Sequence, residues 1–308
     1  MARSAVSIQT RLPNVAIVGV SRGGTTSLFR YLGHHPDVGT SDVKEVRYFS
    51  ALRYGEQLAP LESYAAHFSH CTEPYVLEAT PGYFSGGAKV AQAMRQTLPG
   101  LRTVVSLRAP ADRCWSWFQF VKSRTRIPRD MTFDAYLDRC EQLHDAGTDA
   151  TFENQPYWGL GGGCYDTWLD DWLEVFGADF RVVFFDDVVA DPLATVGDIC
   201  SWLGMDASAL DTQAFNVNNK AEQYRHRRLQ QMALALNRRG EHFFHRHERA
   251  KRLLRQAYYS VNRAPAEPTM SASARARVTD FYRPHTANLA KQLANVGVTL
   301  PPSWAAQN

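Results

Sequence analysis

No stretch of this chain is apolar for long enough to cross a bilayer. Met1-Ala2-Arg3-Ser4 leads into a polar segment and not into the apolar core of a secretion signal, so a cytoplasmic location is expected. Cysteine is sparse. The five residues Cys71, Cys114, Cys140, Cys164 and Cys200 are scattered, odd in number and form no C-x-x-C pair, which speaks against a disulfide scaffold and a zinc ribbon and for reduced, buried thiols. A formal net charge of +3 is too small to argue for nucleic acid as a partner. Internal repeats, low-complexity tracts and a clear interdomain linker are also missing. With 308 residues, 44% of them hydrophobic and 12% aromatic, the chain has enough apolar material for one large α/β domain, expected to run over 1–308 with residues 1–13 as an N-terminal arm.

One further thing is missing from a stretch that otherwise carries a strong pattern. Val15-Ala16-Ile17-Val18-Gly19-Val20 reads as a buried parallel strand. Ser21-Arg22-Gly23-Gly24 turns the chain, and Thr25-Thr26-Ser27 opens a helix that continues through Leu28, Phe29, Tyr31 and Leu32. Strand, glycine turn and hydroxyl-rich helix start make a phosphate cradle. Glycine lets the backbone approach an anion, and the first helical N–H groups have no partner inside the helix. Gly19 and Gly24 keep the spacing of a Walker A loop and Thr26 occupies its hydroxyl position, but the lysine position holds Thr25. The nearest cation is Arg22, ahead of the second glycine. Such a loop is poorly equipped for a triphosphate and suits a smaller anion at the 5′ end of a nucleotide.

SRGGTTSLFRYLGHHPDV resembles the 5′-phosphosulfate loop of sulfotransferases that use 3′-phosphoadenosine 5′-phosphosulfate (PAPS) as donor. Other segments are similar to that family in the same order. Lys44-Glu45-Val46-Arg47-Tyr48-Phe49 matches its K-E-x-x-[FY]-F segment, with Arg47 where histidine is more usual. The resemblance makes Glu45 the general base, and the chemistry asks for one: a carboxylate has to take the acceptor's proton as it attacks sulfur. Glu78-Ala79-Thr80-Pro81-Gly82-Tyr83-Phe84 is similar to E-K-[ST]-x-x-Y-F, which lines the acceptor side. Glu78 and Tyr83 are therefore candidate substrate contacts, and Ala79 stands where the family has a lysine. For Glu78, a buried, hydrogen-bonded strand end is an equal reading. Arg102–Arg108 reads as a buried strand ending in arginine, followed by a proline-started helix. Leu107-Arg108-Ala109-Pro110-Ala111-Asp112-Arg113-Cys114-Trp115-Ser116 resembles the 3′-phosphate signature, which assigns Arg108 and Ser116 to that phosphate. Arg113 has a structural reading instead, and Trp115 and Trp117 are read as core and cleft wall.

Later elements carry less. Residues 122–164 carry the least pattern, and Lys122–Arg129 at their start is basic and loop-like. Gly159–Gly163 reads as a turn into a helix from Cys164 to Leu173, and Arg181–Asp187 as a further strand. A Walker B role for that strand's aspartates lacks a P-loop lysine to accompany it. In 216–228, Arg225 is the first choice for a phosphate contact, with Arg227 and Lys220 behind it. His242, His245 and His247 lack the i,i+4 spacing of a helical zinc pair, and no metal is expected. Phe281–Leu289 resembles the family's closing helix, with Trp304 near its terminus.

The resemblance implies a three-layer α/β/α fold around a central parallel sheet, of the P-loop-like sulfotransferase kind, nearest in motif style to the heparan sulfate type. It implies PAPS as donor and PAP as product. Arg22, Gly23, Gly24, Thr25, Thr26 and Ser27 would hold the 5′-phosphosulfate, Arg108, Ser116 and Arg225 the rest of the nucleotide, and Glu45 and Arg22 would be catalytic. The acceptor is expected to be a hydroxyl or amine on a carbohydrate, glycolipid or small metabolite. Two alternatives stand beside this: a P-loop kinase or NTPase, which needs Mg²⁺-ATP, and a non-catalytic nucleotide-binding protein, for which Ala79 is the motive.

Overall fold

The computed structural model describes residues 11–211, 215 and 269–305. Five strands, β1 Val15–Gly19, β2 Val38–Thr40, β3 Tyr75–Ala79, β4 Arg102–Leu107 and β5 Phe180–Phe184, form one sheet in the order β2-β3-β1-β4-β5. All pairings are parallel: Val15 sits opposite Leu77 on one side and Arg102 on the other, and Leu107 lies opposite Phe184. The strand at the centre is the one with the most continuous apolar run, and all of its residues are buried. That burial pattern is what a parallel strand covered on both faces demands.

Side chains alternate across β1 and so feed two cores. Val15 and Ile17 pack with Leu77, Val104 and Val183 against Leu28 and Phe29 of α1 (Thr25–Leu32) and Ile199 and Leu203 of the helix Pro192–Leu203. Ala16 and Val18 pack with Val76 and Val105 against Val90 and Met94 of the helix Gly87–Thr97, Leu169 and Trp172 of the helix Asp166–Phe176, and Leu289 and Leu293 of the long helix Ala272–Ala294. The result is helix, sheet, helix in three layers. A third cluster joins the helix Pro110–Ser123, the helix Phe133–Asp145 and the long C-terminal helix through Cys114, Phe118, Tyr136, Leu137, Val278 and Tyr282. All five cysteines are free and buried. No helix among the described residues is long and apolar enough to cross a membrane.

Two boundaries differ from expectation. The last strand stops at Phe184, and Phe185–Ala190 is helical, with Asp186 and Asp187 in its first turn. Acids are favoured at that end of a helix dipole. Asp186 also accepts hydrogen bonds from Ser303 Oγ at 2.7 Å and Trp304 Nε1 at 3.2 Å, so it fastens the C-terminal segment and is not the bare strand-end acid of a Walker B motif. Within 122–164, beyond the loop-like Lys122–Arg129, Phe133–Asp145 forms a helix whose N-cap Thr132 accepts from the Ala135 amide.

Candidate active site

Strand order reverses at β1, since β3 and β2 follow on one side and β4 and β5 on the other. Ligands of open α/β sheets lie at the carboxyl ends of the strands beside such a point, and the candidate residues converge there.

The cradle loop is built from carbonyl anchoring. Ser21, Arg22 and Gly23 present consecutive carbonyl oxygens, and each accepts from a side chain on β4, on the helix after it or on the link between them: Arg113 Nε at 3.3 Å to Ser21, Arg108 Nη1 at 3.2 Å to Arg22, and Ser106 Oγ at 2.5 Å to Gly23. Tying off these oxygens removes the groups that would repel an anion and leaves the amides of the helix start available. Gly23 has to be glycine because a Cβ would stand 2.4 Å from the Ser106 carbonyl oxygen. Gly24 has φ +83°, the left-handed conformation that glycine takes without strain, and caps α1. Thr25 is buried, while Thr26 and Ser27 are partly exposed at the start of the helix.

Arginines crowd around this loop. Arg22 Nε donates to Ser116 Oγ at 3.0 Å, and its guanidinium lies over the Phe120 ring. Burial, then the positive charges of Arg108, Arg113 and Arg124, push the Arg22 pKa down to about 10. Arg108 lies over the Phe185 ring at 4.6 Å, and burial lowers its pKa as well. An oxyanion placed here would relieve that mutual repulsion, which is the electrostatic mark of an anion site. Arg113 is different. It is buried and satisfied by the carbonyls of Ser21, Trp158 and Gly159, so its part is structural, and Asp112 pairs instead with Arg275. Gly159–Gly163 is the receiving wall. It forms a turn into the next helix, as expected, and a Cβ on Gly162 would lie 2.4 Å from the Arg113 Nη2.

Across the strand ends stands the pair Lys44 and Glu45. Glu45 Oε2 accepts from Arg47 Nη2 at 2.8 Å and Nε at 3.2 Å, and Lys44 Nζ lies 3.7 Å from its other oxygen. Its side chain keeps 31% exposure. Burial lowers the Lys44 pKa, with Glu45 opposing the shift. The Arg47 amide donates to Thr80 Oγ1 at 3.1 Å, which fixes this segment to the end of β3. Glu78 and Tyr83 do not line the surface as expected of substrate contacts. Both are fully buried, and Glu78 accepts hydrogen bonds from Tyr64 at 2.6 Å, Thr80 at 2.7 Å and Tyr83 at 2.9 Å. They form the wall behind the site. Ala79 is also wholly buried.

Arg22, Ser116 and Arg108 are thus brought together, although the first had been assigned to one end of the nucleotide and the other two to the opposite end. Arg225, Lys220, Arg227 and the three histidines lie outside the described residues. Ser106 and Arg113, which anchor the loop, were not read as such from sequence. Ser106 is a polar residue inside the apolar run Val104–Leu107, and that was the available signal. The P-loop kinase alternative finds little here, because β4 leads into Arg108 where a Mg²⁺-binding acid is needed and Asp186 is engaged by Trp304.

The sulfotransferase family model matches residues 42–209, more than half of the chain. The chain belongs to the sulfotransferase family. This sulfotransferase is 24% identical over 302 residues to the human bifunctional heparan sulfate N-deacetylase/N-sulfotransferase 1, a match covering 96% of this chain and 31% of that protein. It is 25% identical over 207 residues to the Caenorhabditis briggsae protein of that name, covering 65% of this chain and 24% of the relative. The chain therefore spans about a third of the length of the human relative. Among solved structures, a sulfotransferase from Alicyclobacillus acidocaldarius superposes with a TM-score of 0.69 at 21% identity, covering 96% of this chain and 99% of that one, and supports the fold. The matched family region contains Glu45, Arg108 and Ser116 and begins after the cradle loop.

Proposed function

We propose that this sulfotransferase takes its sulfuryl group from PAPS and delivers it to a hydroxyl or amine of a saccharide acceptor. The observation that carries the donor assignment is the anchored loop: three successive carbonyls held away by Arg113, Arg108 and Ser106, beside the unneutralised guanidinium of Arg22. In this reading Arg22 and the loop from Gly23 to Ser27 hold the 5′-phosphosulfate, and Arg108 and Ser116 hold phosphate oxygens. When bound, the donor supplies an electrophilic sulfur with a phosphate leaving group. The acceptor oxygen or nitrogen forms a bond to sulfur as the bond to the 5′-phosphate oxygen breaks. Glu45 takes the acceptor's proton. Arg22 and the start of α1 stabilise the negative charge that gathers on the departing phosphate. Lys44 lies 3.7 Å from the Glu45 oxygen that Arg47 leaves free, and Arg47 holds the other at 2.8 Å, so two cations keep this carboxylate charged. The names of the heparan sulfate relatives support a saccharide as acceptor.

The test is a thermal-shift and titration series with PAP, ADP and ATP–Mg²⁺. A ligand that binds only the folded chain raises its apparent stability by mass action. PAP is expected to stabilise strongly and ADP weakly. A shift with ATP–Mg²⁺ alone overturns the donor assignment. Arg22→Ala is expected to weaken PAP about 10- to 100-fold, the range for a lost charged hydrogen bond.

A further inference from the structure

The buried hydroxyls behind the site hold more than Glu78. Thr80 Oγ1 accepts from the Arg47 amide at 3.1 Å, and Tyr83 Oη accepts from the Phe49 amide at 3.3 Å. Each hydroxyl has one proton to give, and both send it to the same oxygen, Glu78 Oε1, at 2.7 and 2.9 Å. Tyr64 donates to the other oxygen at 2.6 Å. Two amides of the segment that carries Glu45 therefore end, one hydroxyl away, on a single carboxylate. Phe49 adds packing to this: its buried ring meets those of Tyr64 and Tyr83 edge-on at 5.5 and 5.6 Å. Thr80 and Tyr83 are both buried, so water does not stand in for either bond.

This segment needs holding. Arg47 has φ +63°, the left-handed region that a residue with a side chain enters only at a cost. Without a fixed partner for its amide the backbone would relax, and Glu45 lies only two residues before it. We propose that Thr80 and Tyr83, oriented by Glu78, are positioning residues for the general base. They fix the backbone two and four residues beyond Glu45 and so keep its carboxylate presented across the strand ends from the cradle. The proposal rests on the sulfotransferase reading above and extends it to residues that touch neither donor nor acceptor.

The experiment follows release of PAP from PAPS with a glucosamine tetrasaccharide as acceptor. Thr80→Val keeps the shape of the side chain and loses the hydroxyl. It is expected to lower kcat about 10- to 100-fold, the cost of a misplaced reacting group, with KM for PAPS within about twofold of the wild type. Thr80→Ser should restore the rate. Tyr83→Phe acts on the longer bond and the more distant amide, and should lower kcat roughly 3- to 10-fold. Adding Thr80→Val to Glu45→Gln should cost nothing further, because two changes that act through one group are not additive. Amide hydrogen exchange of the PAP-loaded protein should show faster exchange at Arg47 in Thr80→Val and at Phe49 in Tyr83→Phe, with the amides of β1 unchanged. Wild-type turnover in folded Thr80→Val, a full additional loss on top of Glu45→Gln, or unchanged exchange at Arg47 overturns the positioning role and leaves Glu45 as the base. If Thr80→Val does not fold, Tyr83→Phe is read in the same way at Phe49. A wild type without turnover, or with turnover that survives Glu45→Gln, overturns the general-base reading and this proposal with it.

Discussion

Two glutamates stand near the carboxyl ends of neighbouring strands, and the fold treats them in opposite ways. Glu45 is partly exposed and held by cations, with Arg47 on one oxygen and Lys44 near the other. Glu78 is sealed in and held by three hydroxyls. The Lys44–Glu45 segment hangs on Thr80, and Thr80 in turn donates to Glu78. A carboxylate that must exchange a proton with an incoming molecule needs an open side, and only Glu45 has one. A carboxylate that collects hydroxyl donors in a dry core fixes the positions of the donors instead. The same residue type therefore supplies reactivity in one place and rigidity in the other.

That contrast can be broken by substitution. Glu45→Gln is expected to lower the transfer rate by about 10²–10⁴-fold, the usual worth of a general base, with melting temperature and PAP affinity preserved. A comparable loss of PAP affinity would remove the proton-transfer role. Glu78→Ala is expected to do the reverse. It leaves Tyr64, Tyr83 and Thr80 hydroxyls without their acceptor and should cost roughly 3 kcal/mol, on the order of 5–10 °C in Tm, while donor affinity of the folded fraction changes little. Glu78→Gln sharpens the same point through pH. Burial raises the Glu78 pKa above its ordinary 4.5, against the pull of its three hydroxyl donors. The folded chain then holds a proton that the unfolded chain has released. The associated stability is full below pH 4.5 and is lost as pH rises through the folded value, so the wild type should lose stability relative to Glu78→Gln on going upward from there. Denaturant melts across that range check the sign. The smallest effect is expected from Arg47→Ala. Its side chain is 69% exposed, and loss of such a pair is worth about 1 kcal/mol at most, or up to fivefold in rate. A larger drop would make Arg47 an acceptor contact.

The parallel sheet, its central strand and the separate arginines Arg22 and Arg108 were legible because each rests on local chemistry, whereas their meeting at one point was not. A continuous apolar run marks β1, and Arg108 follows directly on the run that forms β4. What stayed hidden depends on contacts far apart in the chain. Glu78 reads alike as site or core until Tyr64 and Tyr83 are seen closing over it. Arg113 and Ser106 look like a helix charge and a strand polar residue until they meet the carbonyls of a loop more than 80 residues away. The three-residue strand β2 carries too little pattern to be noticed. The helix Phe133–Asp145 was readable and missed: Thr132 is a good cap, and Phe133, Tyr136, Leu137 and Cys140 keep helical spacing.

The bond between Asp186 and Trp304 spans 118 positions of sequence. Ribosomes add roughly 5–20 residues per second. The turn after β5 therefore waits on the order of ten seconds during synthesis before its indole and hydroxyl donors exist. The Trp304 ring that then arrives packs edge-on against Phe184 at the end of β5. Until synthesis reaches residue 304, the end of β5 lacks its aromatic cover and Asp186 lacks its indole donor, so this corner of the sheet is held together later than its centre.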